Sequence, residues 1–318
     1  MTTSLNDTVF AVREALDENY TALQEYIRHA KRPSRIPFKI KKLLIALTCD
    51  YGRSKLMGKL TARNEAKPNI FTPTDKVFPD TKIAVYTVLT GGYDSLQNPI
   101  YVDDDIDYYA FTDSDELIAQ SNDLAWNVIK LPSELDKYDN ARKNRCLKIN
   151  HDYALSLTGK KYDYCIYVDS NCRIACDIKP LVYSLIDSGK NFAVHRLSRD
   201  SLYAEAAEIW WTRGISYKAL KEQMNFYEAE GFPKSCVLFA NPILIRKCND
   251  SELEDIMRQW WEQVIRFTHR DQLSLPYVLW KNNKDASYIF SLGDNVRADR
   301  YFIFSLHGEK GDSKFPQM

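Results

Sequence analysis

Asp169 closes an apolar run, Cys165–Val168, within the stretch YCIYVDSNCRI at residues 164–174. A buried strand that stops at a carboxylate, a hydroxyl and an amide (Asp169, Ser170, Asn171) carries those groups to its C-terminal end. In an open α/β sheet that end faces the ligand crevice. The chemistry this allows is oxygen coordination of a hard divalent cation; the bland counterpart is a polar turn. Arg142 is a second candidate. It shares a helical meridian with Cys146, Ile149, Tyr153 and Leu157, and Arg145 lies beside it. A cation on an apolar meridian near a helix start needs an anion or an open cleft, which makes Arg142 a phosphate candidate. A snorkelling side chain at a surface helix end gives the same pattern. The third candidate is the turn Thr90-Gly91-Gly92-Tyr93-Asp94. Its glycines let the backbone turn sharply and approach a ligand, as they also do in an ordinary strand-to-helix turn.

These residues need a scaffold that gathers them at one edge. Apolar, β-branched runs predict strands at Ile83–Leu89, Tyr108–Thr112, Trp126–Leu131, Cys165–Val168, Phe192–Val194, Val237–Phe239 and Ile243–Ile245. Three- and four-residue apolar spacing predicts helices at Asp139–Leu157, Asp177–Ser188 (stopped by Gly189) and Leu253–Phe267. An Ala-rich helix holding Glu205 and a further helix over 215–229 lie between them. Strands alternating with helices, with charge at the strand ends, imply a Rossmann-like layer. There is no GxGxxG and no GxxxxGK[ST], so dinucleotide and P-loop nucleotide chemistry lack support. Residues 1–66 read as a helical, basic N-terminal extension, 67–81 as a proline-containing linker, and 82–318 as the compact body.

The net charge is zero, but ten Lys/Arg and one acid, Asp50, fall between Arg28 and Leu60. A basic segment on an otherwise acidic chain suits an anionic membrane surface and argues against a nucleic-acid-binding fold. Its lysines equally suit a docked helix with a solvated face. The seven cysteines are odd in number and form no CxxC pair, which predicts reduced thiols in the cytoplasm. No apolar stretch approaches the ~20 residues that span a bilayer.

Six pieces together resemble a glycosyltransferase-like family, once catalogued as a domain of unknown function, of bacterial polysaccharide loci and plant mucilage-related proteins. They are YTVLTGGYD (86–94), NARKNRCLKIN (140–150), YVDSN (167–171), HRLSRDSLYAEA (195–206), YEAEGFP (227–233) and RDQLSLPYVLW (270–280). The resemblance implies a GT-A-like, Rossmann-type mixed sheet flanked by helices that binds a nucleotide-sugar and Mn²⁺ or Mg²⁺. On that footing Asp169 and Asn171 become metal ligands, with His307 as a C-terminal ligand. Asn171 stands where such enzymes carry a second acid. Asp271 and Gln272 would face the reacting sugar, as sugar contacts or, for Asp271, as the base that an inverting reaction needs. Glu205 is a second catalytic carboxylate. Thr87, Thr90, Gly91, Tyr93, Arg142, Arg145, Ser170, His195, Arg199 and Arg270 would line the donor site. The expected function is sugar transfer from a nucleoside-diphosphate donor to a polysaccharide or glycolipid of the capsule or lipopolysaccharide type. The expected place is the cytoplasm, peripheral at the inner face of the membrane. A non-catalytic glycan-binding scaffold and a metal-dependent hydrolase are the alternatives.

Overall fold

A computed structural model describes residues 69–197, 200–213 and 215–305. The predicted extension 1–66 with its basic stretch, Arg199 and His307 lie outside the described residues. In chain order the strands are β1 (Ile83–Leu89), β2 (Ile106–Thr112), β3 (Asn127–Lys130), β4 (Tyr164–Val168), β5 (Cys172–Ile174), β6 (Phe192–Arg196), β7 (Phe239–Lys247), β8 (Phe290–Ser291) and β9 (Phe302–Phe304). The helices are α1 (Asp115–Ala119), α2 (Asn140–Ile149), α3 (His151–Ser156), α4 (Lys179–Asp187), α5 (Leu202–Arg213), α6 (Tyr217–Ala229), α7 (Ser251–Arg266) and α8 (Asp271–Lys281).

Seven strands form one sheet in the order β3-β2-β1-β4-β7-β6-β8, and β5 pairs with β9 in a small ribbon. Within the large sheet β7 alone runs antiparallel to its neighbours. This is the expected mixed α/β sheet with flanking helices. Alternation along each strand divides the core. Tyr86, Tyr167 and Leu244 point to the face covered by α2, α3 and α5 to α8. Val85, Ile166 and Ile243 point to the face covered by α4 and the β5–β9 ribbon. Covering on both faces is why β1 is buried along its whole length and reads as an unbroken apolar run.

Helix α7 shows how the sequence pattern sets the packing. Asp250 caps it by accepting the Leu253 N–H. Leu253, Ile256, Met257, Trp260 and Val264 form its buried stripe. Trp260 Nε1 donates to the Asp271 carbonyl at 3.0 Å and to Ser274 Oγ at 3.1 Å, which ties α7 to the start of α8.

Two expectations change. The helix predicted over Asp139–Leu157 is two helices broken at Asn150, whose backbone leaves the helical region. Of the apolar pieces predicted at 237–239 and 243–245, the first contributes only Phe239 to a strand; β7 starts there and runs unbroken through Asn241 and Pro242 into the second. The described part of the linker is docked on the body: Asn69 donates to the Leu292 carbonyl and to Asp299, and Thr74 bonds Ser184 and Asp187. Among the described residues no helix is long and apolar enough to cross a membrane.

Candidate active site

Helix α2 is pinned at both ends. Asp139 caps its start by accepting the Arg142 N–H at 2.8 Å. Asn144 Nδ2 donates to the Val88 carbonyl at 2.7 Å, and Thr90 Oγ donates to the Asn140 carbonyl at 2.8 Å. Gly91 sits at φ +65°, and a Cβ there would lie 2.0 Å from Asn140 Nδ2. The turn therefore needs glycine both for its backbone angle and for its close approach to the helix.

The far end of α2 meets two fully buried side chains, Tyr86 and Arg246. Tyr86 Oη donates to the carbonyls of Leu147 (3.1 Å) and Lys148 (3.2 Å). Arg246 donates to the Ile149 carbonyl at 2.8 Å and to Tyr86 Oη at 2.6 Å. These donors satisfy the last carbonyls of the helix, which have no partner within it. They also account for the break that follows at Asn150.

So fixed, α2 presents Arg145 and Lys148, three residues apart on one face, to the C-terminal end of β4. Lys148 is 2% exposed. Its ammonium lies 2.9 Å from Asp271 Oδ2, an ion pair off the hydrogen-bond direction, and 3.2 Å from Asp169 Oδ1. It also stands 5.0 Å from the centre of the Tyr167 ring. Tyr167 Oη donates to the same Asp169 oxygen at 2.7 Å. Arg145 Nε lies 3.4 Å from Asp271 Oδ1. Two acids and two bases, distant in sequence, thus close into one cluster. Breaking a buried pair of this kind by removing one partner typically costs about 3–5 kcal/mol.

Electrostatics fix the protonation states. Burial would raise the Asp271 carboxyl, but Lys148, Arg145 and Arg270 outweigh it and hold the acid well below the usual carboxylate range. Burial likewise opposes the charge on Arg145, and Asp271 and Asp169 overcome it to raise its pKa. Burial, with Asp169 adding to it, keeps the Tyr167 phenol protonated far above its ordinary value. Asp271 is therefore a permanent anion, suited to holding a hydroxyl or stabilising positive charge and poorly suited to taking up a proton near neutral pH.

Of the residues singled out from sequence, the structure brings together Asp169, Asp271 and Arg145. Gln272 stands next to them, with Oε1 accepting from Arg270 at 2.9 Å. Ser170 Oγ donates to Asp94 at 2.6 Å, which folds the glycine turn onto the end of β4. Gly91 N–H donates to Asp113. Tyr93 is exposed, and Thr87 is buried in β1 with no partner for its hydroxyl among the described residues.

Others are placed elsewhere. Arg142 spends its guanidinium on Asp139 and on the carbonyls of Val264 and Phe267, so it locks α2 to the end of α7. His195 is fully buried, 2.6 Å from Asp299, and belongs to the packing of the C-terminal segment. Glu205 is buried on α5. Asn171 donates its amide to the Ser305 carbonyl at 3.1 Å, and its own carbonyl accepts the Ser305 N–H. Lys148 is the functional candidate that the sequence reading passed over, and its spacing from Arg145 is the signal that marks it.

Among the described residues no three His, Cys, Asp or Glu side chains gather as metal ligands. Asp169 still suits a hard cation in part. Its Oδ1 serves Tyr167 and Lys148, whereas its Oδ2 has no protein partner among the described residues and its side chain is 28% exposed. Mg²⁺ and Mn²⁺ sites often use one or two carboxylates, completed by substrate phosphate and water. A cavity of about 630 Å³ opens at the opposite end of β4, near Tyr162, Tyr164 and Lys247, and holds none of the cluster. The chemistry identifies the C-terminal end of β4, and cavity size does not.

The family model described as TOD1/MUCI70, glycosyltransferase-like domain, matches residues 62–303. No curated protein matches the chain. Among solved structures, the apo form of mouse xyloside xylosyltransferase 1 is similar at 10% identity and a TM-score of 0.38, over 65% of this chain and 84% of that one. Core-mannan synthase A (CmsA/Ktr4) from Aspergillus fumigatus, in its Mn/GDP form, is similar at 11% identity and a TM-score of 0.39, over 75% of this chain and 80% of that one.

Proposed function

The chain belongs to the TOD1/MUCI70 glycosyltransferase-like family, and from that premise we propose that it moves a sugar from a nucleoside-diphosphate donor to a glycan or glycolipid acceptor. The acceptor class is surface glycan of the capsule or lipopolysaccharide type. The observation that carries the reading is the buried cluster of Asp169, Lys148, Asp271 and Arg145 at the C-terminal end of β4.

With Arg270 alongside, three cations face two carboxylates, and the excess positive charge suits a departing diphosphate. Such preorganised charge acts where negative charge grows in the transition state. Arg145 and Arg270 are the diphosphate residues, and Lys148 holds both acids in register. Asp271, kept ionised, holds a hydroxyl of the transferred sugar and stabilises positive charge developing on its ring, with Gln272 beside it. Asp169 Oδ2 would hold a divalent cation, which when bound neutralises diphosphate oxygens. The basic stretch 28–60 would keep the enzyme at the anionic inner face of a membrane, in the cytoplasm.

The test is nucleoside-diphosphate release from a panel of UDP- and GDP-sugars, with Mn²⁺, Mg²⁺ or EDTA. Release that EDTA abolishes supports metal-assisted transfer. If no panel member is consumed and none raises the melting temperature, the transferase reading fails and a glycan-binding scaffold stands. Liposome sedimentation with and without residues 1–66 checks the membrane assignment, and equal binding by both forms dismisses it.

A further inference from the structure

Asn241 is 1% exposed, and among the described residues neither its amide nitrogen nor its amide oxygen has a hydrogen-bond partner. A buried amide with both ends unbonded is costly, and native proteins keep few of them. Its position gives the amide a use. The residue after it, Pro242, accepts the Asp169 N–H on its carbonyl at 2.8 Å. The β4–β7 register ends with Val168 paired to Ile243, so Asn241 lies two residues past that pair on β7, at the end of β4 that carries Asp169.

The backbone is irregular at this spot. Against β6 the register jumps from Val194–Leu244 to His195–Ala240, which leaves Asn241, Pro242 and Ile243 out of step. A bulge of this kind re-aims a side chain and recurs beside active sites. Proline is tolerated within a strand at such a bulge because it has no N–H to offer the ladder.

An amide both donates and accepts. Phosphate oxygens offer only acceptors, so they match half of it, and the cations of α2 and Arg270 already suit them. A hydroxyl matches both halves. β7 also lies on the side of β4 away from β1, hence away from the Thr90–Tyr93 turn expected to meet the nucleoside. We propose that Asn241 binds a hydroxyl of the transferred sugar and so helps to set which sugar the enzyme accepts. This rests on the nucleotide-sugar reading above.

The test compares wild type with Asn241→Leu, of similar volume, and Asn241→Asp, which removes the donor half. Melting temperature is read with no ligand, with UDP or GDP, and with the matching UDP- and GDP-sugars of glucose, galactose, N-acetylglucosamine, xylose and mannose. In wild type at least one sugar nucleotide raises the melting temperature beyond its own nucleoside diphosphate. In both variants the diphosphate shift remains and that excess disappears, with turnover of the same donor lower on the order of 10²-fold. Ligand-free Asn241→Leu melts no lower than wild type, because it loses an unbonded amide. An excess that persists in the variants overturns the inference. So does a ligand-free Asn241→Leu that melts well below wild type, or failure of both variants to fold, since either marks an amide bonded to structural water. If no nucleotide shifts wild type, the donor reading itself fails, and the inference falls with it.

Discussion

Lys148→Met removes the cation that joins both acids while keeping an unbranched apolar stem. The structure sets the expected size of the effect. Lys148 lies 2.9 Å from a carboxylate that is 2% exposed and 3.2 Å from one whose side chain is 28% exposed. Loss of one partner from a fully buried pair costs about 3–5 kcal/mol. Water can take over part of the contact with Asp169, and Arg145 stays beside Asp271, so the lower end, about 3 kcal/mol, is expected. For a domain of this size that is a fall in melting temperature of about 6–12 °C. Urea denaturation at pH 7 measures it as a lower midpoint with an unchanged slope.

The pH dependence has a definite sign. The folded state depresses the Asp271 carboxyl, against burial and through Lys148 and Arg145. Its contribution is present above the ordinary carboxylate pKa of about 4 and is lost as pH falls below that. The difference between wild type and Lys148→Met therefore narrows in acid. A double-mutant cycle with Asp271→Asn should show coupling of at least about 1 kcal/mol. A variant within about 0.5 kcal/mol of wild type at pH 7, or one that shows no coupling, would refute the claim that this ion pair organises the site.

Asp169→Ala should lower turnover on the order of 10²-fold or more; near-normal diphosphate release would remove its assignment as metal ligand. Gly91→Ala meets Asn140 and a φ of +65°, whereas Gly92→Ala has open space at φ +62°. The first should cost about 2–3 kcal/mol and the second about 1 kcal/mol, and equal losses in thermal denaturation would show that the contact with α2 is slack. Burial, reinforced by Arg246, lowers the His151 pKa from 6.5 to about 4. The unfolded chain then takes up this proton first as pH falls. Stability should be full above about 6.5 and decline by about 1.4 kcal/mol per pH unit toward about 4. His151→Gln should flatten that decline in urea titrations across the range, and an unchanged slope would show that the ring is not held neutral.

The scaffold was legible because its signals are local. β1 and β4 are unbroken apolar runs, α7 has a capped stripe, and Asp169 stands where an apolar run stops. Asp271 was legible from its motif. Lys148 was not, because a lysine in a helix is ordinarily solvated, and the acids that hold it reach it only through the packing of β4 and α8. Arg142 misled for the complementary reason: besides Asp139 at the cap of its own helix, its partners are backbone carbonyls at the end of α7, and no side-chain pattern announces a carbonyl. His195 sat in a matching motif, yet its buried partner, Asp299, comes from the C-terminal segment. Asn241 became visible only when its burial was known.

Because β7 alone opposes its neighbours within the large sheet, it enters where β4 leaves. One of its ends sets the Pro242 carbonyl on the Asp169 N–H, with Asn241 next along the strand, and the other sends Arg246 to the last carbonyl of α2. The two positions are about 17 Å apart along an extended strand. β7 thus works as a ruler whose two marks are the place of Asn241 and the place of the helix that carries Lys148. Exchanging a side chain at 241 redraws one mark and leaves the other alone. Inserting or deleting one residue between them would turn every later side chain to the opposite face and break the spacing of the whole site, even with every charged residue still present.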